Sequence, residues 1–219
     1  ARINSKHVGT FGQTGCFSFY PTKNFTTIEG GMVITNSKKV ANFIRYARNH
    51  GITKTLASRF SSGKPWDYDV KNSGYNYRLD EIRAALGISQ IKQIKKMNLL
   101  RKKASDYYNK KLGSVQGIIV PDKSVGMEHV HHLYVIRVTK KYGITRDILF
   151  QKLLKAGIRT SVHYKPLHRF TIFKKMSKAG DQLSNSKDAY SQILSLPIYP
   201  SISKKQQDSV IKNIKKYKA

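Results

Sequence analysis

The 219-residue chain carries 41 Lys and Arg against 12 Asp and Glu, a formal net charge of +29, and one cysteine. With 39% hydrophobic and 24% charged residues it has the balance of a folded protein, which excludes wholesale disorder, and its length suits one large domain or two small ones. The lone Cys16 excludes a disulfide scaffold and a multi-cysteine zinc site, and no apolar run approaches the roughly 18 residues of a membrane span, so a soluble, cytoplasmic chain is expected. The sequence opens on Ala1 in a polar stretch without a signal-peptide pattern, so residues are expected upstream.

In chain order, Cys16–Tyr20 (CFSFY) reads as a short aromatic strand ended by Pro21, and Gly30–Gly31 punctuates the chain before a second strand, Met32–Thr35. Asn36–Ser37 can cap a helix over Lys38–His50, which Gly51 stops. Residues 52–73 hold the only Trp, Trp66, and lack sustained periodicity, so they read as one long functional or interface loop. From Asp80 an apolar stripe of Ile82, Ala85, Leu86, Ile88, Ile91 and Ile94 at helical spacing begins a helix that runs to Leu112, where Gly113 ends it. A helix of that length commonly bridges two domains, and the boundary is placed within it, near residue 100. Beyond it the pattern predicts strands over 117–120 and 132–138, a helix over Thr145–Ala156 and a strand over 158–163. A loop around Pro166 and helices near 186–195 and 203–217 complete a small α+β domain.

The charge makes nucleic acid the first partner to weigh. The excess is mostly lysine, scattered in doublets such as Lys95–Lys96, Lys110–Lys111 and Lys215–Lys216, where solvation of helix faces is the ordinary reading. No finger, RNP signature or long basic tail accompanies them, so nucleic acid is not the expected partner. A field this positive does favour small anions, nucleotide-linked ones included.

One lysine stands apart. Lys23, in Phe17-Ser18-Phe19-Tyr20-Pro21-Thr22-Lys23-Asn24, follows an aromatic strand at a proline-defined corner where solvation needs no lysine. An amine held where its charge is poorly solvated is a competent nucleophile toward an aldehyde cofactor such as pyridoxal phosphate. From the residues alone Ser18 is as readily an ordinary strand serine, Asn76 a turn residue before a helix, and His163 a structural histidine. The seven histidines form no i, i+4 pair beside a carboxylate, so no metal site is expected.

The stretch CFSFYPTKNFTTIEGGMVIT resembles the lysine segment of the DegT/DnrJ-type sugar aminotransferases, fold-type I enzymes that use pyridoxal phosphate. HVGTFG (7–12), ARNHGI (47–52), GYNYRLDEIRAALGISQI (74–91), HHLYVIRV (131–138), GIRTSVHYKPLH (157–168) and LSLPIYPSIS (194–203) resemble the same family in the same order. The resemblance implies an α/β fold: residues 1–100 as the C-terminal part of the cofactor-binding large domain, and 101–219 as a small α+β domain. It implies that Lys23 bonds the cofactor aldehyde and shuttles a proton, and that Ser18 binds the cofactor phosphate. Asn76 would reach that phosphate across a homodimer, and His163 and Tyr164 would lie near the sugar. The implied reaction moves an amino group, from glutamate as usual donor, onto a keto group of a nucleotide-linked deoxysugar, in polysaccharide synthesis. The pyridine-nitrogen carboxylate, the stacking aromatic and the phosphate-cradling helix lie in the family upstream of the HVGTFG block. No Asp or Glu precedes Glu29 here, so the chain alone is expected to be a poor catalyst. Two alternatives remain. The family's dehydratases carry a histidine in place of the lysine, which Lys23 opposes. The other is a cofactor-free basic binding protein for nucleic acid or an anionic ligand, built on the same fold.

Overall fold

The computed structural model describes residues 1–122, 125–176 and 183–218. Its strands are β1 (Arg2–Ile3), β2 (Lys6–His7), β3 (Thr14–Ser18), β4 (Gly31–Thr35), β5 (Ile118–Ile119), β6 (Met127–Glu128), β7 (Tyr134–Val138) and β8 (Ile193–Leu196). Its α-helices are α1 (Lys38–Ala47), α2 (Leu56–Ser61), α3 (Glu81–Leu112), α4 (Arg146–Lys155), α5 (Thr171–Lys174), α6 (Ser184–Gln192) and α7 (Lys204–Lys216). The chain divides into two compact units, one of residues 1–94 with 126–128 and the other of residues 95–125 with 129–219. No helix among the described residues is long and apolar enough to cross a membrane.

In the first unit β3 and β4 form an antiparallel hairpin, in register from Thr14 opposite Thr35 to Ser18 opposite Gly31. A small antiparallel sheet of order β2-β1-β6 accompanies it. Helix α1 starts where the sequence places its cap, with Ser37 Oγ accepting from Val40 N at 3.3 Å. Helix α3 starts on Asp80, whose carboxylate accepts from Arg83 N at 2.9 Å and pairs with the Arg83 guanidinium at 2.8 Å. The hydrogen bond from the Arg83 amide, helped by the guanidinium charge, holds the Asp80 carboxyl below its ordinary range. No hydrophobic residue of this unit is buried among the described residues. The apolar stripe that periodicity placed on α3 leaves Ile82 83% and Ile88 60% exposed.

The second unit holds the core. Its antiparallel sheet runs β5-β7-β8, and Tyr134, Ile136 and Val138 of β7 point inward in strict alternation. Leu149 and Leu153 of α4, Ile214 of α7, and Tyr108 and Leu112 of α3 pack into the same cluster. Buried tyrosines keep their hydroxyls satisfied: Tyr134 donates to Asn109 Oδ1 at 2.7 Å, Tyr108 to the Pro197 carbonyl at 3.1 Å, and Tyr142 to the Ile214 carbonyl. Burial pushes all three phenols well above the usual tyrosine range. Arg101, also buried, donates through one terminal nitrogen to the carbonyls of His131, His132 and Ile198, and burial lowers its pKa.

Several elements differ from the sequence expectation. The first strand lies two residues earlier, at Thr14–Ser18, because the chain leaves the hairpin after Phe19 to form a closed loop. Helix α2, capped by Thr55, interrupts the expected 52–73 loop. The expected strand over 158–163 reduces to a single bridge between Ser161 and Ser195. The expected helix over 186–195 ends at Gln192, and Ile193–Leu196 is a strand. Four apolar-leaning residues fit either structure by periodicity, and pairing with β7 decides it.

Candidate functional site: a closed lysine loop

Residues 19–30 connect β3 to β4 and carry Lys23. The ends of this loop are tied together: Phe19 N donates to the Gly30 carbonyl at 2.9 Å, and the Phe19 carbonyl accepts from Thr27 N at 3.0 Å and from Thr26 Oγ1 at 2.8 Å. Thr26 Oγ1 also accepts from Ile28 N at 2.9 Å, and Thr27 Oγ1 donates to the Glu29 carbonyl at 2.8 Å. This bonding sustains Ile28 at φ 69°, a left-handed conformation that a β-branched residue adopts only when its surroundings impose it. The ring of Phe25 meets Phe19 edge to face, with centroids 4.8 Å apart. Thr27 is only 2% exposed. A side chain at Gly30, φ 151°, would place its Cβ 2.5 Å from Thr27 Oγ1, so the glycine is a steric requirement there.

Within this frame Lys23 is half-buried, and its backbone N donates to the Tyr20 carbonyl at 3.0 Å, closing a tight turn at the proline corner. Ser18 is the last residue of β3; its hydroxyl is exposed and accepts from Tyr20 N at 3.4 Å. Asn76 belongs to the same unit, bridged to Asn49 at the end of α1, and its side-chain oxygen accepts from Arg78 Nε at 2.9 Å. Tyr75 and Tyr77 flank it as a parallel stack with centroids 4.9 Å apart. A cavity of about 1030 Å³ opens between the hairpin, α1 and the segment 76–79; Asn76, Arg45, Arg48, Arg78, Arg83 and Glu29 contribute its charged and polar lining. Lys23 and Ser18 are not among the residues lining it.

His163 and Tyr164 lie in the second unit. His163 is half-buried, with Nδ1 2.8 Å from Ser195 Oγ, and Tyr164 is 70% exposed with its ring edge-on to the imidazole. The structure thus keeps Ser18, Lys23 and Asn76 in one unit and His163 with Tyr164 in the other.

Sequence reasoning gave no role to four groups that position these residues: the Thr26 and Thr27 hydroxyls, the Arg78 guanidinium and Ser195. The paired threonines beside a Gly-Gly turn were a usable signal. Ser195 gave none, since its segment reads as helix.

The sequence pattern of the DegT/DnrJ/EryC1/StrS aminotransferase family matches residues 1–215. The chain belongs to this family. It is 36% identical over 212 residues to the spore coat polysaccharide biosynthesis protein SpsC of Bacillus subtilis, covering 95% of this chain and 54% of that protein. It is 32% identical over 206 residues to a UDP-4-amino-4,6-dideoxy-N-acetyl-beta-L-altrosamine transaminase of Campylobacter jejuni, covering 94% of this chain and 52% of the transaminase. Among solved structures, PseC of Helicobacter pylori, an aminotransferase of pseudoaminic acid biosynthesis, superposes with a TM-score of 0.85 at 28% identity, covering 98% of this chain and 55% of its own. The family member described here therefore has the fold of the fold-type I aminotransferases, and it spans about half the length of the curated relatives it matches.

Proposed function

We propose that the protein to which these residues belong is an aminotransferase that moves an amino group from an amino acid, glutamate by the family's habit, onto a keto group of a nucleotide-linked deoxysugar. In this reading residues 1–100 are the lysine-bearing part of the large domain and 101–219 the small domain, in a cytoplasmic homodimer. The observation that carries it is the Lys23 loop: a half-buried lysine on a loop whose ends are closed by three hydrogen bonds, next to the hydroxyl of Ser18 at the end of β3.

The residues present fit pyridoxal phosphate by their chemistry. An amine, a strand-end hydroxyl and an amide are the donors an aldehyde-bearing phosphate ester needs. When bound, that cofactor supplies an aldehyde carbon and an electron-withdrawing ring. The chain's part is then assigned by group. The Lys23 amine, when neutral, would condense with that aldehyde, its oxygen leaving as water, and, once displaced by the amino donor, would carry a proton between the cofactor C4′ carbon and the substrate carbon. Ser18 Oγ–H is free to donate to a phosphate oxygen. Asn76 supplies an amide N–H₂ while its oxygen is engaged by Arg78, which leaves the donor end for a phosphate, here assigned to the neighbouring subunit. The hydrogen-bonded loop keeps the amine from wandering, so little ordering remains to be done when the reactants meet. His163 and Tyr164 are assigned to the sugar nucleotide.

The test uses the product of the complete gene. Added pyridoxal phosphate should give a visible absorption band that borohydride fixes covalently, with the added mass on the peptide containing Lys23. Lys23→Ala should remove both band and mass. A label on another lysine refutes the assignment. No band, together with tight and salt-sensitive nucleic-acid binding, favours the cofactor-free basic binding protein.

A further inference from the structure

The second unit sets a buried serine against the half-buried His163, and the proposed chemistry gives that serine no part. Ser195 lies in β8 between Leu194 and Leu196, both buried, and is itself 5% exposed. Its backbone is fully engaged: β8 pairs with β7, opposite Val135, on one side, and on the other Ser195 N donates to the Ser161 carbonyl at 2.8 Å and its carbonyl accepts from Ser161 N at 3.1 Å. That double bond between Ser161 and Ser195 fixes the chain two residues before His163. It brings the imidazole Nδ1 to 2.8 Å from the serine hydroxyl.

The direction of this hydrogen bond follows from burial. A hydroxyl has one proton to place, and among the described residues Ser195 Oγ has no partner except His163. If Nδ1 carried the hydrogen, the proton of a serine only 5% exposed would be left without an acceptor, which is the costly arrangement. With Oγ–H donating to Nδ1, both groups are satisfied and the neutral ring carries its hydrogen on Nε2. His163 makes no other hydrogen bond among the described residues and is half-buried, so the Nε2–H is left to face solvent or a ligand.

We propose that Ser195 is a positioning residue that locks His163 in the Nε2–H tautomer, presenting a fixed donor beside the Tyr164 ring to an oxygen acceptor of a sugar nucleotide. The surroundings suit that ligand class. Tyr164 offers an exposed aromatic face set edge-on to the imidazole at 4.8 Å, the kind of surface on which a pyranose C–H face rests. Lys165, His168 and Arg169 follow within six residues, and no Asp or Glu occurs from residue 148 to residue 180, so the local field favours hydroxyl and phosphoryl oxygens. The ligand class rests on the aminotransferase reading; the tautomer lock does not.

The test is long-range ¹H–¹⁵N correlation of the histidine rings in the labelled protein, at a pH where the rings are neutral, with His163 assigned by the signals that His163→Gln removes. His163 should show a single Nε2–H pattern. Ser195→Ala should give a mixture of the two tautomers, and Ser195→Thr, which restores the hydroxyl, should recover the single form. An Nδ1–H ring in the unsubstituted protein overturns the lock, and that spectrum decides even if Ser195→Ala does not fold; an unchanged pattern in folded Ser195→Ala overturns it equally. For the ligand, titration with UDP-N-acetylglucosamine should move the His163 Nε2–H signal, and His163→Phe should raise Kd by about 5- to 10-fold, the loss of one hydrogen bond. Unmoved signals or an unchanged Kd overturn the ligand assignment. Borohydride trapping at Lys23 should be unaffected by Ser195→Ala, so a failure here is distinguishable from a failure of the aminotransferase reading.

Discussion

Thr27 of the lysine loop packs against Gly87 of helix α3, and a double-mutant cycle can measure how firmly. A Cβ added at Gly87 of α3 would lie 3.0 Å from Thr27 Cγ2 and 3.5 Å from Phe25 Cζ. In an open helix, Gly→Ala stabilises by about 1 kcal/mol through helix propensity. Here the new methyl meets a side chain that cannot yield, because Thr27 is held by its N–H, its carbonyl and its hydroxyl. Overpacking costs about 1–3 kcal/mol, so Gly87→Ala alone should be destabilising by roughly 1 kcal/mol net. Thr27→Ser deletes the opposing methyl and keeps the hydroxyl, at a cost of about 1 kcal/mol for the lost group. In that background Gly87→Ala should become stabilising by about 1 kcal/mol, a coupling of roughly 2 kcal/mol with a change of sign. Urea unfolding gives the global values, and hydrogen exchange at the amides of Phe19, Thr27 and Glu29 gives the local ones. Equal effects of Gly87→Ala in both backgrounds would refute the claim that Thr27 pins the loop to α3.

Ile28→Gly should slow exchange of the loop amides little and raise stability by up to about 1 kcal/mol, since relief of left-handed strain of about 1–2 kcal/mol outweighs the added chain entropy of glycine; a loss of stability would show that φ 69° is not strained here. Asp80, its carboxyl held low in the folded chain, contributes stability that is full above the ordinary carboxylate pKa of 3.8 and fades as pH falls through the lowered value. Asp80→Asn should therefore flatten the acid limb of a stability-against-pH curve, read by circular dichroism. Tyr142→Phe should cost about 1–2 kcal/mol in urea unfolding, because the buried Ile214 carbonyl loses its donor. With three phenols raised by burial, absorbance titration should show Tyr108, Tyr134 and Tyr142 silent near the usual tyrosine pKa of about 10, and the second unit should lose stability as pH climbs above it.

Legibility followed local chemistry. Ser37 was legible as the cap of α1, and Thr145 and Ser203, read as the first residues of their helices, cap α4 and α7 with the same hydroxyl bond. The alternation of Tyr134, Ile136 and Val138 gave β7 because one face of that strand is buried and the other only partly so. What escaped depended on distant partners. Ser195 belongs to a strand only because β7 and Ser161 flank it, and a single bridge was all that residues 158–163 could form once β8 took that place. The stripe on α3 marked a helix, and Ile82 and Ile88 stand exposed because spacing reports which residues share a face, never what covers it. Lys23 was singled out by its place after an aromatic strand. The threonine bonds that hold its loop run back to a backbone carbonyl, which no side-chain pattern encodes.

The uneven distribution of interior between the two units bears on how the molecule responds to warming. Among the described residues every buried apolar side chain belongs to the second unit, so that tyrosine-rich nucleus should be the last part to melt, while the β3–β4 hairpin gives way early. Lys23, proposed above as the nucleophile, thus rides on the thermally softer portion. Its working lifetime is governed by what rests against the hairpin and the isoleucine face of α3, and improving the tyrosine nucleus would do little to prolong it.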